Sequence, residues 1–174
     1  MTKHKITMTL SSSSIQNAIK EIEKYKNSLE YKSRILAEKL AQKGVEIARV
    51  QIASLDAIFT GELIENVHSE YKSSIKGGAI FAVVADNTHA AFVEFGTGMI
   101  GSKTPYPKLP DGVSWQYASG KTIHQLVDGR YGWFYQIDGQ WYFTEGMPSR
   151  PFMYNTSLEL MRQVVKTAKE VFSG

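Results

Sequence analysis

The chain has 174 residues, 43% of them hydrophobic, which is enough to bury a core and excludes disorder throughout. It has no cysteine, which excludes disulfides, thiolate zinc sites and cysteine nucleophiles and leaves only carboxylates and four histidines as metal ligands. A formal charge of +3 and a pI near 9.0 fall short of the clustered basic excess of a dedicated nucleic-acid binder. The segment M-T-K-H-K-I-T-M-T-L lacks the apolar centre of a secretion signal, and no stretch approaches the roughly eighteen apolar residues of a spanning helix. A soluble product inside the cell that makes it, with no membrane partner, is expected.

Ile6, Met8 and Leu10 alternate with Lys5, Thr7 and Thr9, the pattern of a short half-buried strand. Four serines follow, and Ser13 with Gln16 at capping-box spacing predicts a short helix carrying Ile15, Ile19 and Ile22, with Lys20, Glu21, Lys24 and Lys26 outward. Over residues 29–55, Ile35, Leu36, Leu40, Ile47, Ala48, Ile52 and Leu55 recur at helical spacing and predict the longest element. Gly44 inside it costs about 1 kcal/mol relative to alanine and marks a bend or the close approach of another backbone. Residues 62–71 and 79–85 flank Lys76-Gly77-Gly78, which predicts an antiparallel hairpin.

Residues 88–98 read T-H-A-A-F-V-E-F-G-T-G. As a helix the run puts Ala91, Phe92 and Phe95 on one face with Glu94 elsewhere, Asn87 or Thr88 as the amino-terminal cap, and Gly96 as terminator; strand alternation is the weaker alternative. Gly98 frees the following backbone to turn or to approach a neighbour. Residues 99–147 hold most of the prolines and all three tryptophans, with turn signals at Pro110-Asp111-Gly112 and Asp128-Gly129. Aromatic strands at 131–137 and 140–144 around Asp138-Gly139 predict a hairpin with a type I′ turn. Ser149-Arg150-Pro151 opens a last helix, where Leu158, Met161, Val165, Ala168 and Phe172 form the packing stripe and Arg162, Lys166, Lys169 and Glu170 face water. The expected fold is α+β: a single domain, 1–174, with a long amino-terminal helix and a carboxy-terminal helix packed on a small antiparallel sheet, and 99–147 inserted as an aromatic-rich hairpin arm.

The search for chemistry is negative. His89 and Glu94 stand five apart and do not stack on one helical face, and with His68, His124 and Asp128 they form no ligand spacing, so no metal is expected. No serine lies in a nucleophile elbow. The pairs Glu62 with Glu65 and Glu21 with Glu23 lie among polar neighbours as solvated charge. Gly96-Thr97-Gly98 lacks the full phosphate-loop and dinucleotide patterns. Neither catalytic residues nor a cofactor are expected. The arm is richer: its rings accompany Lys103, Lys108, Lys121 and Arg130. They suit a miniature core, a protein interface built on Trp115, Trp133, Tyr135, Trp141 and Phe143, or a surface over 103–143 for single-stranded nucleic acid. Core or interface is favoured, because the ring spacing follows the hairpin alternation that local packing needs.

Three stretches carry a family resemblance. Thr60-Gly61-Glu62-Leu63-Ile64-Glu65-Asn66-Val67 resembles a threonine-glycine-x-leucine lead into a sheet; Ala90-Ala91-Phe92-Val93-Glu94-Phe95-Gly96-Thr97-Gly98 resembles the most recognisable signature; Pro148-Ser149-Arg150-Pro151-Phe152-Met153 resembles the lead into a final helix. Together they resemble the tail-completion, or head-to-tail joining, proteins of long-tailed bacteriophages and prophages. The structural signature is then Thr60, Gly61, Leu63, Phe92, Glu94, Phe95, Gly96, Gly98, Arg150, Pro151 and Phe152. The resemblance implies a non-catalytic α+β subunit of a homo-oligomeric ring in the virion neck, present in the host cytoplasm before assembly. Its partners would be the head connector or head-completion protein and a tail terminator or tail-tube protein, with DNA passing through the lumen without sequence specificity. The chain departs from that pattern in its long 99–147 arm and in Asn155-Thr156, where many members carry proline and alanine.

Overall fold

One helix of 43 residues, α1 (Ser12–Ser54), dominates the computed structural model, which describes residues 5–57, 61–109, 111–118 and 120–173. Thr60 and Pro110, both singled out above, lie outside the described residues. The expected short first helix and long second helix are continuous. No glycine or proline interrupts α1 before Gly44, and the Lys26–Glu30 ion pair at 3.7 Å supports the expected junction at i, i+4 spacing. The cap is Ser11 rather than Ser13: its Oγ accepts the Ser14 N–H at 3.3 Å. Residues 5–10 form no strand, because alternation alone supplies no edge to pair with.

The rest is α+β: β1 (Val67–Ile75) and β2 (Gly78–Ala85) form a small antiparallel sheet, and α5 (Phe152–Ser173) ends the fold. Residues 62–65, expected as the start of the first strand, form instead a helical turn, α2 (Glu62–Glu65), capped by Gly61 at φ +86°. Contacts divide the chain into two compact units: Met1–Ile47, His68–Val84 and Ser157–Gly174 in one, Ala48–Val67 and Ala85–Thr156 in the other.

In the first unit, Gly44 is a packing position for side chains, not for another backbone. A Cβ there would lie 2.7 Å from Val83 Cγ2 and 3.4 Å from Leu160 Cδ2, so α1, β2 and α5 meet at a point where only hydrogen fits. Lys43 Nζ donates to Thr167 Oγ1 at 3.1 Å beside it. The packing stripe of α5 differs in part from the expected one: Ala168 and Phe172 are half-buried, but Leu158, Met161 and Val165 are exposed, and Phe152, Thr156, Thr167 and Val171 are buried. Both buried threonines have partners, Thr156 Oγ1 donating to the Phe152 carbonyl at 2.7 Å. That satisfaction lets a mixed stripe outcompete a purely apolar one.

The second unit holds α2, α3 (Ala90–Phe95), α4 (Gly98–Lys103) and a three-stranded antiparallel sheet of β3 (His124–Gln125), β4 (Tyr131–Ile137) and β5 (Gln140–Thr144), in that order. A short β6 (Gly146–Met147) follows. The hairpin turn is as expected, with Asp138 at φ 50° and Gly139 at φ 81°. Ile52, Val67 and Phe152 are fully buried, each stabilising by about 2–3 kcal/mol relative to exposure. Helix α4, unforeseen in the glycine-rich G-M-I-G-S-K, is held from outside: Gly98 N–H donates to Tyr117 O at 2.7 Å and Ile100 N–H to Glu145 O at 3.2 Å.

Candidate functional site

A helix leaves its first backbone N–H groups without intrahelical acceptors. The first turn of α5 has no acidic residue to meet them. They are met from α3: the Glu94 carboxylate accepts the N–H groups of Met153 and Tyr154, each at 2.9 Å. Around this pair the Arg150 N–H donates to Val93 O at 2.8 Å, the Ser149 hydroxyl to Glu94 O at 2.7 Å and Arg150 Nε to Leu55 O at 3.1 Å. Glu94 is therefore inward, only 5% exposed, on the face it shares with Ala90 at i, i+4. Of the face expected for α3 only Phe95 is half-buried; Ala91 is exposed and Phe92 is 44% exposed. The short helix itself is as favoured, although His89 holds the cap position and Asn87 Oδ1 accepts its N–H at 2.8 Å.

Burial pushes the Glu94 pKa up, against the pull of the backbone donors and of a hydrogen bond from Tyr106; the net direction is upward. The Tyr106 phenol is held above its ordinary range, first by burial and then by the adjacent Glu94 charge. With its oxygens taken by backbone donors and a phenol, this carboxylate is placed to hold two helices together.

Gly96 and Gly98 make room for the same joint. Gly96 has φ +79°, and a Cβ on it would stand 2.6 Å from the Ser149 nitrogen. Gly98 has φ +65°, and a Cβ there would collide with the Glu145 carbonyl. Between them Thr97 pairs with Met147, and its Oγ1 accepts the Met147 N–H at 3.2 Å.

Aromatic rings continue the joint. Phe95 lies 4.7 Å from Tyr106 and 4.9 Å from Trp115, and Tyr106 lies 5.7 Å from Tyr154. Trp115 also donates its indole N–H to Gly96 O at 2.8 Å. One proposed interface residue thus packs inside its own unit. The other four divide by strand alternation. Trp133 and Tyr135, opposite Thr144 and Tyr142, share one face of the hairpin; Phe143 and Trp141, opposite Phe134 and Gln136, share the other. The first face walls a cavity of about 1000 Å³ whose lining includes Leu63, Phe92, Trp115, Trp133 and Tyr135, with Glu62, His89 and Lys121 as polar members. On the second, Phe143 lies under the Arg130 guanidinium at 5.4 Å, and Trp141 is 68% exposed.

The structure thus gathers Glu94, Phe95, Gly96, Gly98, Arg150, Pro151 and Phe152 in one joint, sets Leu63 and Phe92 on the cavity wall and leaves Trp141 outward. Tyr106, one of the aromatic rings of the arm, belongs to the joint together with Tyr154, which did not stand out in the sequence. The signal was the start of α5, a long helix without an acidic cap of its own. Among the described residues the histidines are scattered: His68 Nε2 lies 3.1 Å from Glu70, His124 meets the Phe134 ring at 5.5 Å, and His89 Nδ1 lies 3.2 Å from Thr88. Among the described residues no three His, Asp or Glu side chains gather as a metal site, and no helix is long and apolar enough to cross a membrane. No family model, curated protein or solved structure matches this chain.

Proposed function

We propose that this chain is a structural, non-catalytic subunit of the neck of a long-tailed bacteriophage or prophage, one copy of a ring that joins the DNA-filled head connector to the tail. The observation that carries the reading is the Glu94 joint. Two of the stretches that bear the resemblance, 90–98 and 148–153, lie far apart in sequence yet bond to each other through Glu94, Ser149 and Arg150. Residues that serve such a joint fix the arm and the last helix to each other, which is what a ring subunit needs from a signature without chemistry. The exposed Trp141 and its hairpin then contact the adjacent subunit or the next ring of the virion, since tryptophan is an enriched anchor of protein interfaces. DNA passes the lumen without sequence-specific contact.

Assembly tests the reading. The Trp141→Ala variant should keep its fold and lose tail attachment, and deletion of 131–144 should do the same; tail attachment unchanged in both contradicts the assignment. A second reading, a nucleic-acid-binding module over 103–143, is favoured by the exposure of Lys103, Lys108 and Lys121 and of the Trp141 ring within that segment. A salt titration of single-stranded DNA binding separates the two. Tight binding with a steep salt slope supports the module, and weak contact supports the ring.

A further inference from the structure

The apolar stripe of α1 runs toward the amino terminus beyond its well-covered part, where Ala18 on its flank is buried at 6% while the larger side chains stay exposed. Leu40, Ala41 and Gly44 belong to its covered part, Gly44 beneath Val83 and Leu160. At 3.6 residues per turn, Ile15, Ile19, Ile22 and Leu29 prolong that same face toward the amino terminus. There Ile19 is 50% and Ile22 55% exposed. Their steps of four, three and seven are the seam of a two-helix coil, with Lys26 filling the one polar position.

α5 has a second bare stripe. Leu158, Met161 and Val165 lie roughly 150° around the helix from its buried residues, a separation set by the 3.6-residue turn. Met161 is 61% and Val165 64% exposed. Each stripe, 15–29 on α1 and 158–172 on α5, is about 21 Å long at the helical rise.

We infer that the exposed stripe of Ile15, Ile19, Ile22 and Leu29 on α1 pairs antiparallel with the face of α5 that exposes Leu158, Met161 and Val165 on a second copy of this chain, giving a head-to-tail contact. The register that matches the two spacings sets Ile15 on the half-buried Phe172, Ile19 on the half-buried Ala168, Ile22 on Val165, Lys26 along Met161 and Leu29 on Leu158. Charge selects this pairing over its alternatives. The flank of α1 that an antiparallel partner meets carries Gln16, Glu23 and Glu30, and the matching flank of α5 carries Arg162 and Lys169. In the stated register Glu23 lies beside Arg162. Antiparallel pairing of α1 with α1 would bring Glu toward Glu, and of α5 with α5 would bring Arg162 toward Lys169, so both symmetric contacts repel. Glu30 and Arg162 now hold surface partners on their own helices, Lys26 at 3.7 Å and Glu159 at 3.0 Å, and exposed pairs of this kind exchange at little cost. Every copy carries both stripes, so the contact repeats from copy to copy, as a ring requires. The inference rests on the proposed ring and names the surfaces that would build it.

The test exploits a chain without cysteine. Two full-length variants, Ile22→Cys and Val165→Cys, are oxidised separately and as a one-to-one mixture and resolved on non-reducing gels. The expected result is a covalent dimer in the mixture and mainly monomer in each separate sample. Efficient dimers of either variant alone, or none in the mixture, overturn the inference. Charge reversal is the second arm. Glu23→Arg and Arg162→Glu should each cut the yield of cross-linked dimer roughly tenfold when introduced into its Cys partner, and together restore it. Loss without restoration overturns the register. If the dimer forms yet heads and tails join without the protein, the neck assignment fails and the pairing stands; if joining needs the protein but no dimer forms, the reverse holds.

Discussion

The carboxylate of Glu94 accepts the backbone N–H of Met153 at 2.9 Å, so a residue near the end of a six-residue helix caps the first turn of a 22-residue one. Negative charge there also meets the positive end of the α5 dipole. Replacing Glu94 by Ala leaves the Met153 and Tyr154 donors buried without an acceptor and should cost about 3 kcal/mol, read as a fall in the denaturant midpoint. Glu94→Gln keeps one acceptor and should lie between Ala and wild type. A loss for Ala below about 0.5 kcal/mol would show that the cap does not hold the joint.

The same carboxyl gives a pH dependence with a definite sign. Its pKa is raised above 4.5 in the folded chain by burial, so the folded state holds its proton to higher pH than the unfolded one. The stabilisation from that proton is fully present below pH 4.5 and is lost as pH rises through the raised folded value. Relative to Glu94→Gln, wild type should therefore gain stability as pH falls from neutrality toward this range. Parallel pH profiles for the two proteins would refute the shift.

At Gly98 a methyl group would collide with the Glu145 carbonyl while the backbone keeps φ +65°. Gly98→Ala is expected to lose about 3 kcal/mol, through both the collision and a conformation that alanine resists. Gly112, also at positive φ but with open space around its Cβ position, should lose only about 1 kcal/mol on the same change. Thermal melts of the two variants compare the sites directly, and equal losses would count against a close approach at Gly98.

Two tryptophans of the arm should separate stability from assembly. Trp115→Ala removes the indole bond to Gly96 and the contact with Phe95, and should destabilise by about 3–5 kcal/mol. Trp141→Ala removes an exposed ring and should change stability by less than about 0.5 kcal/mol while impairing attachment to partners. Calorimetry beside a joining assay reads both. A stable, fully competent Trp141 variant would remove the hairpin from the interface.

Local grammar made much of the fold legible. Asp138-Gly139 placed the second hairpin to the residue, and Gly77 placed the turn of the first. The apolar spacings of Ile15 to Ile22 and of residues 29–55 read as two helices, whereas in the fold the polar stretch between them, with the weak helix formers Asn27 and Ser28, costs less than ending a 43-residue helix. Helix α4 was illegible: its acceptors come from Tyr117 and Glu145, distant residues that no local pattern announces. The site was legible in identity and obscure in direction. Glu94 stood out in its motif, but apolar periodicity only set it off the apolar face, because the unmet donors of α5 that draw it inward lie about sixty residues away. On α5 periodicity found an apolar stripe that is exposed at Leu158, Met161 and Val165 and half-buried at Ala168 and Phe172, and the buried stripe escaped notice because its threonines are satisfied within the fold.

The central claim, that this chain joins heads to tails, is tested most directly by electron microscopy of particles made with and without it from the genome that encodes it. Without it, DNA-filled heads and finished tails should accumulate separately, and adding the purified protein should join them. Joined, infectious particles formed in its absence would contradict the assignment.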